Sequence, residues 1–181
     1  MGILGRKLVE LQRGKDELIA GRGWRRRAEE ISEWAHAGNW SYRDIAPELI
    51  GRWFPRIDGL DEYLWVVDGV SNGYPVTVAT RRTYLAGFTD NSEDSNRDFT
   101  GIIAVAIPGR PPQEFLQSPY KTEMAVRAMG GTVPEPYQLQ FRTDGWLLAT
   151  RGGMHRLKRL RQQIDLLTGQ LSTVPPGFWR Y

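Results

Sequence analysis

Nucleophilic or acid–base catalysis requires a base within reach of a reacting group, and this chain of 181 residues offers two histidines, His36 and His155. His36 falls in a stretch with helical spacing and His155 opens another, so each reads as a surface or capping residue rather than a catalyst. There is no cysteine, which removes thiol catalysis, disulfides and zinc-thiolate sites from consideration. No G-x-S-x-G elbow, P-loop, strand-borne G-x-G-x-x-G or H-E-x-x-H occurs. Asp61-Glu62 would suit a glycosidase acid pair, but nothing fixes their separation from another acid. In the loop D-N-S-E-D-S-N-R-D, Asp90, Ser92, Asp94, Asn96 and Asp98 alternate like calcium ligands. Ser95 replaces the glycine that a calcium loop needs at its sharp turn, and Gly101 stands where a bidentate Glu belongs, so the stretch reads as a solvated loop. The expectation is a chain without metal or cofactor, in which the lack of a catalytic constellation points away from an enzyme.

The chemistry that remains is charge and aromatic surface. The formal charge is +3, but residues 1–27 hold eight Lys/Arg against three Asp/Glu, which is +5, so the remainder carries −2. Within that segment Leu4, Leu8, Leu11 and Leu18 recur at helical spacing among Arg6, Lys7, Arg13 and Lys15, with Gly14 inside and Gly21 and Gly23 after. This reads as a marginal amphipathic helix and hinge, residues 1–22. It is a candidate contact for an anionic membrane or the acidic face of a partner, the plainer reading being that it docks on its own domain or frays. A basic patch is expected from Arg25 and Arg26 with Arg156, Lys158 and Arg159. Much of the first cluster has local partners, since Arg25 faces Glu29 and Arg26 faces Glu30 at i+4.

These residues must be positioned by regular elements. Trp24, Ala28, Ile31 and Ala35, with Trp34, give residues 24–37 one apolar helical face, and Gly38-Asn39 suits a helix end. From Asp61 the period changes to two. Runs on either side of Asn72-Gly73 predict a hairpin, FTGIIAVAIPG predicts a third strand, and PPQEFLQ a short edge piece. YQLQFRT and WLLATR meet at Asp144-Gly145 in a second hairpin, and Met124 to Gly131 has no clear pattern. Leu157, Leu160, Ile164, Leu167 and Leu171 then form one stripe of a closing helix that Val174-Pro175-Pro176 stops. The fold class is therefore α+β: an antiparallel meander of about five strands flanked by an N-terminal and a C-terminal helix in a single domain, residues 23–176. Residues 177–181 form an aromatic tail outside any element; Phe178, Trp179 and Tyr181 are its candidate exposed aromatics, and the tail either folds back over the sheet, the plainer reading, or presents them to a partner or membrane.

The order Trp40-x-Tyr42, Arg52-Trp53-Phe54-Pro55, Gly69-x-x-x-Gly73-x-Pro75, Asp144-Gly145-x-Leu147-Leu148 and a last helix ending in Val174-Pro175 resembles a family of uncharacterised actinobacterial proteins. That resemblance spans residues 24–176 and implies an α+β domain of unassigned function. Some members carry a membrane anchor, here matched by no more than the weak helix near Leu4 to Ile19. No run of this chain approaches the ~20 apolar residues of a membrane span, and no signal-peptide pattern opens it. The expectation is a soluble cytoplasmic protein, peripheral to the inner membrane face, that binds a protein partner or an anionic membrane surface. Two alternatives remain open: a small-ligand carrier or enzyme with a pocket between sheet and helix, and a nucleic-acid binder using the basic helices, which the compensating glutamates disfavour.

Overall fold

The computed structural model describes residues 23–54, 61–83, 99–116 and 118–180. A first helix, α1, covers residues 23–37. Strands β1 (Ser41–Ile45), β2 (Asp61–Ser71), β3 (Tyr74–Thr83) and β4 (Phe99–Ala106) follow, then helix α2 (Pro119–Ala128), strands β5 (Gln138–Phe141) and β6 (Trp146–Gly152), and helix α3 (Leu157–Thr173). Among the described residues the strands form one antiparallel six-stranded sheet in the order β1-β2-β3-β4-β6-β5. The α+β class with its two flanking helices stands as expected. The meander is interrupted once, because α2 carries the chain from β4 out to the far edge and β6 then returns between β5 and β4.

Local chemistry explains the turns. Asn72 and Gly73 both take positive φ, 49° and 81°, which a two-residue turn matched to strand twist requires and which Asn and Gly adopt at low cost. A bulge breaks the β2–β3 register between Leu64 and Val67, and Trp65 there sits at φ 51°. The bulge turns the Trp65 ring toward the helices, where its centroid lies 5.3 Å from that of Trp24.

Both faces of the sheet are covered, which is why β4 reads as an unbroken apolar run. On one face α1 and α3 pack through Ile31, Ala35, Leu160, Ile164, Leu167 and Leu171 onto Leu64, Val67, Val76, Val78, Ile103, Val105, Leu147 and Ala149. On the other, a short 3-10 turn at Pro47–Leu49 and the segment after it lay Leu49 and Trp53 over Tyr63, Val66, Ala79, Ile102, Ala104 and Leu148. Trp53, from the Arg-Trp-Phe-Pro motif, is thus a core anchor at 1% exposure. Beside it the buried pair Arg81–Asp61 closes at 2.8 Å, with the Arg81 guanidinium over the Phe54 ring.

The structure corrects several expectations. Ser41–Ile45 is a strand, β1, and raises the strand number to six. The stretch PPQEFLQ contributes a 3-10 turn at Gln113–Phe115 rather than an edge strand. The patternless stretch lies largely in α2, which Ser118 caps by accepting the Lys121 amide while Pro119 takes the first turn. Trp179 is not an exposed aromatic: it is 6% exposed, and its ring lies 6.1 Å from that of Phe141. Phe178 is half-buried against Phe115 and Phe141. A two-way backbone bridge between Arg110 and Arg180 holds the tail down, so its aromatics join the core. Tyr181, the segment with Leu4, Arg6, Lys7, Leu8, Leu11, Arg13 and Lys15, and the loop from Asp90 to Asp98 lie outside the described residues.

Candidate binding face on the helical layer

Helices α1 and α3 lie on the same face of the sheet and run the same way. At one end the Arg27 guanidinium donates to the carbonyl of His155, just before α3. Further along, Arg161 of α3 reaches Gly38 and Trp40 beyond the end of α1. The arginines at the start of α1 are therefore brought to the start of α3, and the two halves of the expected basic patch share one end of the layer.

The expected ion pairing of that patch is only partly present. Arg26 meets Glu30 at 3.0 Å and Arg27 meets the same carboxylate at 3.3 Å, which holds the Glu30 carboxyl below its ordinary range. Arg25 does not pair with Glu29. Among the described residues Arg25, Arg156, Lys158 and Arg159 are exposed and take part in no ion pair. Three of these cations stand at the N-terminal end of α3, whose first turn contains no acidic residue and whose N-cap, Arg156, makes no side-chain capping bond. A helix N-terminus is the positive end of the macrodipole, and each cation there is unfavourable by roughly 0.3–1 kcal/mol. This placement departs from what helix stability alone would select.

Toward the other end lies an open groove of about 450 Å³ lined by Trp34, Ala37, Gly38, Trp40 and Arg161. Its aromatic walls meet edge to face, with ring centroids 5.7 Å apart, and the Arg161 guanidinium lies 5.2 Å from the centroid of Trp40. Trp40 in turn lies flat on Gly69: a Cβ there would come within 2.1 Å of the ring, so only glycine admits this packing. Sequence reading missed the groove because it joins residues more than a hundred positions apart. Trp40 of the Trp-Tyr motif borders the groove while itself being 6% exposed in the core beneath the helices.

His155 is neither a surface nor a capping residue but is 5% exposed beneath the helices. Its Nε2 lies 3.0 Å from the Ala79 carbonyl and 3.1 Å from that of Ile102, so it carries the hydrogen and donates to them. Nδ1 then accepts the Tyr137 hydroxyl at 2.8 Å. Burial, beyond the effect of Arg151 and Arg27 nearby, depresses its pKa to about 4, while burial pushes Tyr137 up to about 12. A neutral ring with both nitrogens occupied fastens strands β3 and β4 to the approach of α3 and has no free lone pair for chemistry. Gly101 leaves it room, since a Cβ there would stand 3.0 Å from the ring. His36 is exposed on α1, with Ser32 Oγ 3.4 Å from its Nδ1.

No protein-family model matches the chain, and a search of curated proteins finds no match. Among solved structures the fold is similar to the crystal structure of the mycobacterial trehalose monomycolate transport factor A, TtfA. The TM-score is 0.50 at 13% identity, covering 82% of this chain and 96% of that one. At that identity the likeness is one of fold. Among the described residues no helix is long and apolar enough to cross a membrane.

Proposed function

We propose that this chain is a non-enzymatic binding or adaptor domain that docks on an anionic surface at the inner face of a membrane, using the cationic end of its helical layer. The observation that carries the reading is the set of exposed Arg25, Arg156, Lys158 and Arg159 at that end, in no ion pair among the described residues, the last three set against the α3 dipole at a cost to stability. Each Lys or Arg near an anionic leaflet contributes about 1 kcal/mol, so four give attachment that is real, reversible and salt-sensitive. The screening length of about 10 Å at 0.1 M salt confines the effect to residues held at the surface, which the rigid α3 does. The sequence stretch with Leu4, Arg6, Lys7, Leu8, Leu11, Arg13 and Lys15 would supply apolar and cationic residues to the same kind of surface, and a protein partner with an acidic face is the adaptor's second ligand. The similarity in fold to a protein named as a transport factor supports an adaptor role over a catalytic one. Co-sedimentation of the full chain with phosphatidylglycerol-rich vesicles tests the proposal. Binding that weakens steeply with added salt and is absent on phosphatidylcholine vesicles is expected, and equal binding to both lipids contradicts it.

A further inference from the structure

The face of the sheet away from α1 and α3 holds a knot of buried polar atoms that the chain does not pair. Among the described residues seven buried side-chain polar atoms have no hydrogen-bond partner, and four of them sit on neighbouring residues: Trp53 Nε1, Asp61 Oδ1, Tyr63 Oη and Arg81 Nε. Tyr63 and Arg81 stand directly opposite each other across β2 and β3, and Asp61 precedes Tyr63 by two, so the three side chains share one face. Trp53 closes over them, with its ring centroid 5.9 Å from that of Tyr63, and the Phe54 ring beside it takes the Arg81 guanidinium at 4.7 Å. Trp53 and Tyr63 are 1% exposed, Asp61 3% and Arg81 7%. Arg81 donates through Nη2 to Asp61 Oδ2 at 2.8 Å, which leaves its Nε hydrogen and the second carboxylate oxygen of the same pair unused. The Tyr63 hydroxyl is within electrostatic reach of both, since burial pushes its pKa up to about 12 while Arg81 lowers it and Asp61 raises it.

Polar atoms buried this deeply are nearly always paired, because leaving one unpaired costs more than a typical hydrogen bond contributes. The chemistry of the four limits what can pair them. Trp53 Nε1 and Arg81 Nε only donate, Asp61 Oδ1 only accepts, and the tyrosine hydroxyl does either. An anion placed here would meet the carboxylate, a cation would meet the guanidinium, and an apolar group would leave all four atoms unpaired. A water molecule accepts two hydrogen bonds and donates two, which is the complement of this set. It accepts from Trp53 Nε1 and Arg81 Nε and donates to Asp61 Oδ1 and Tyr63 Oη; buried waters in proteins typically make about three such bonds.

We infer that an ordered water molecule is bound among Trp53, Asp61, Tyr63 and Arg81, where it fastens the segment carrying Trp53 to strands β2 and β3. The inference does not rest on the docking proposal, since the site lies on the opposite face of the sheet from the cationic layer. The test is a pair of ¹⁵N-edited NOESY and ROESY spectra of the full native chain, read at the Trp53 indole N–H, with solvent water as the probe. A cross-peak at the water frequency is expected whose sign matches the diagonal in the NOESY and opposes it in the ROESY. That combination marks hydrogens held beside the indole, whereas chemical exchange gives the same sign in both. Transfer relayed through the Tyr63 hydroxyl is removed in Tyr63→Phe, which keeps three of the four partners, so the cross-peak should persist there. Its absence from the native chain, or its loss in folded Tyr63→Phe, would overturn the inference. If Tyr63→Phe does not fold, a crystal structure of the native chain decides: a water within about 2.7–3.2 Å of Trp53 Nε1 and Asp61 Oδ1 is expected. A group from residues 55–60 bonded to these atoms in its place would overturn the inference.

Discussion

His155 makes the stability of this protein depend on pH in a direction and window that can be worked out. In the folded chain its pKa is about 4 against an ordinary 6.5, because burial disfavours the imidazolium. Above pH 6.5 neither state binds the proton. Between 6.5 and 4 the unfolded chain binds it and the folded chain does not, so each drop in pH favours unfolding. Below 4 both bind it and the loss is complete. At 1.4 kcal/mol per pH unit the full window is worth on the order of 3 kcal/mol, and acidification to about pH 5 takes roughly 2 kcal/mol of it. The comparison protein is His155→Gln, whose amide can still donate toward the carbonyls of Ala79 and Ile102 but does not titrate. Urea titrations of both at about pH 7.5 and pH 5 should show the native chain losing roughly 2 kcal/mol more than the variant, the carboxylates cancelling in the difference. Equal losses, or a His155 ring that titrates near 6.5 by NMR, would refute the burial argument.

Three further substitutions test the packing. Leu160→Ala removes a side chain 1% exposed beneath α3 and should cost ~2–5 kcal/mol in the same urea assay. Gly69→Ala places a methyl 2.1 Å from the Trp40 ring and should lower the melting temperature while shifting the Trp40 indole signal, because the ring has to leave its seat. Asp61→Ala strands the buried Arg81 guanidinium and should cost roughly 3–5 kcal/mol, more than the same change at the exposed Asp144.

What could be read from sequence was whatever a short window contains. Asn72-Gly73 and Asp144-Gly145 announce hairpins because the turns themselves need those residues, and Leu160, Ile164, Leu167 and Leu171 announce α3 because their spacing is the helix repeat. Strand β1 escaped notice because its residues are exposed save for a half-buried Tyr42, so no apolar alternation marks it; pairing with β2 alone makes it a strand. Helix α2 buries only Thr122, Ala125 and Val126, too thin a stripe to see, although Ser118-Pro119 was a legible start signal. The burial of His155 depends on Tyr137 and on carbonyls of β3 and β4, and the groove depends on Arg161 arriving beside Trp40. Both are products of tertiary placement, which no local pattern encodes. The cations of the candidate face were legible, but their lack of partners was not: Arg25 and Glu29 are spaced to pair and do not.

The claim that α3 carries its leading cations for binding rather than for folding can be tested in one variant. Arg156→Gln, Lys158→Gln and Arg159→Gln together keep helix propensity and remove three charges from the positive end of the dipole. Measured side by side, affinity for phosphatidylglycerol vesicles should fall about a hundredfold, at roughly 1 kcal/mol per cation, while the melting temperature holds or rises. Unchanged vesicle affinity, or a melting temperature that falls with it, would contradict the account.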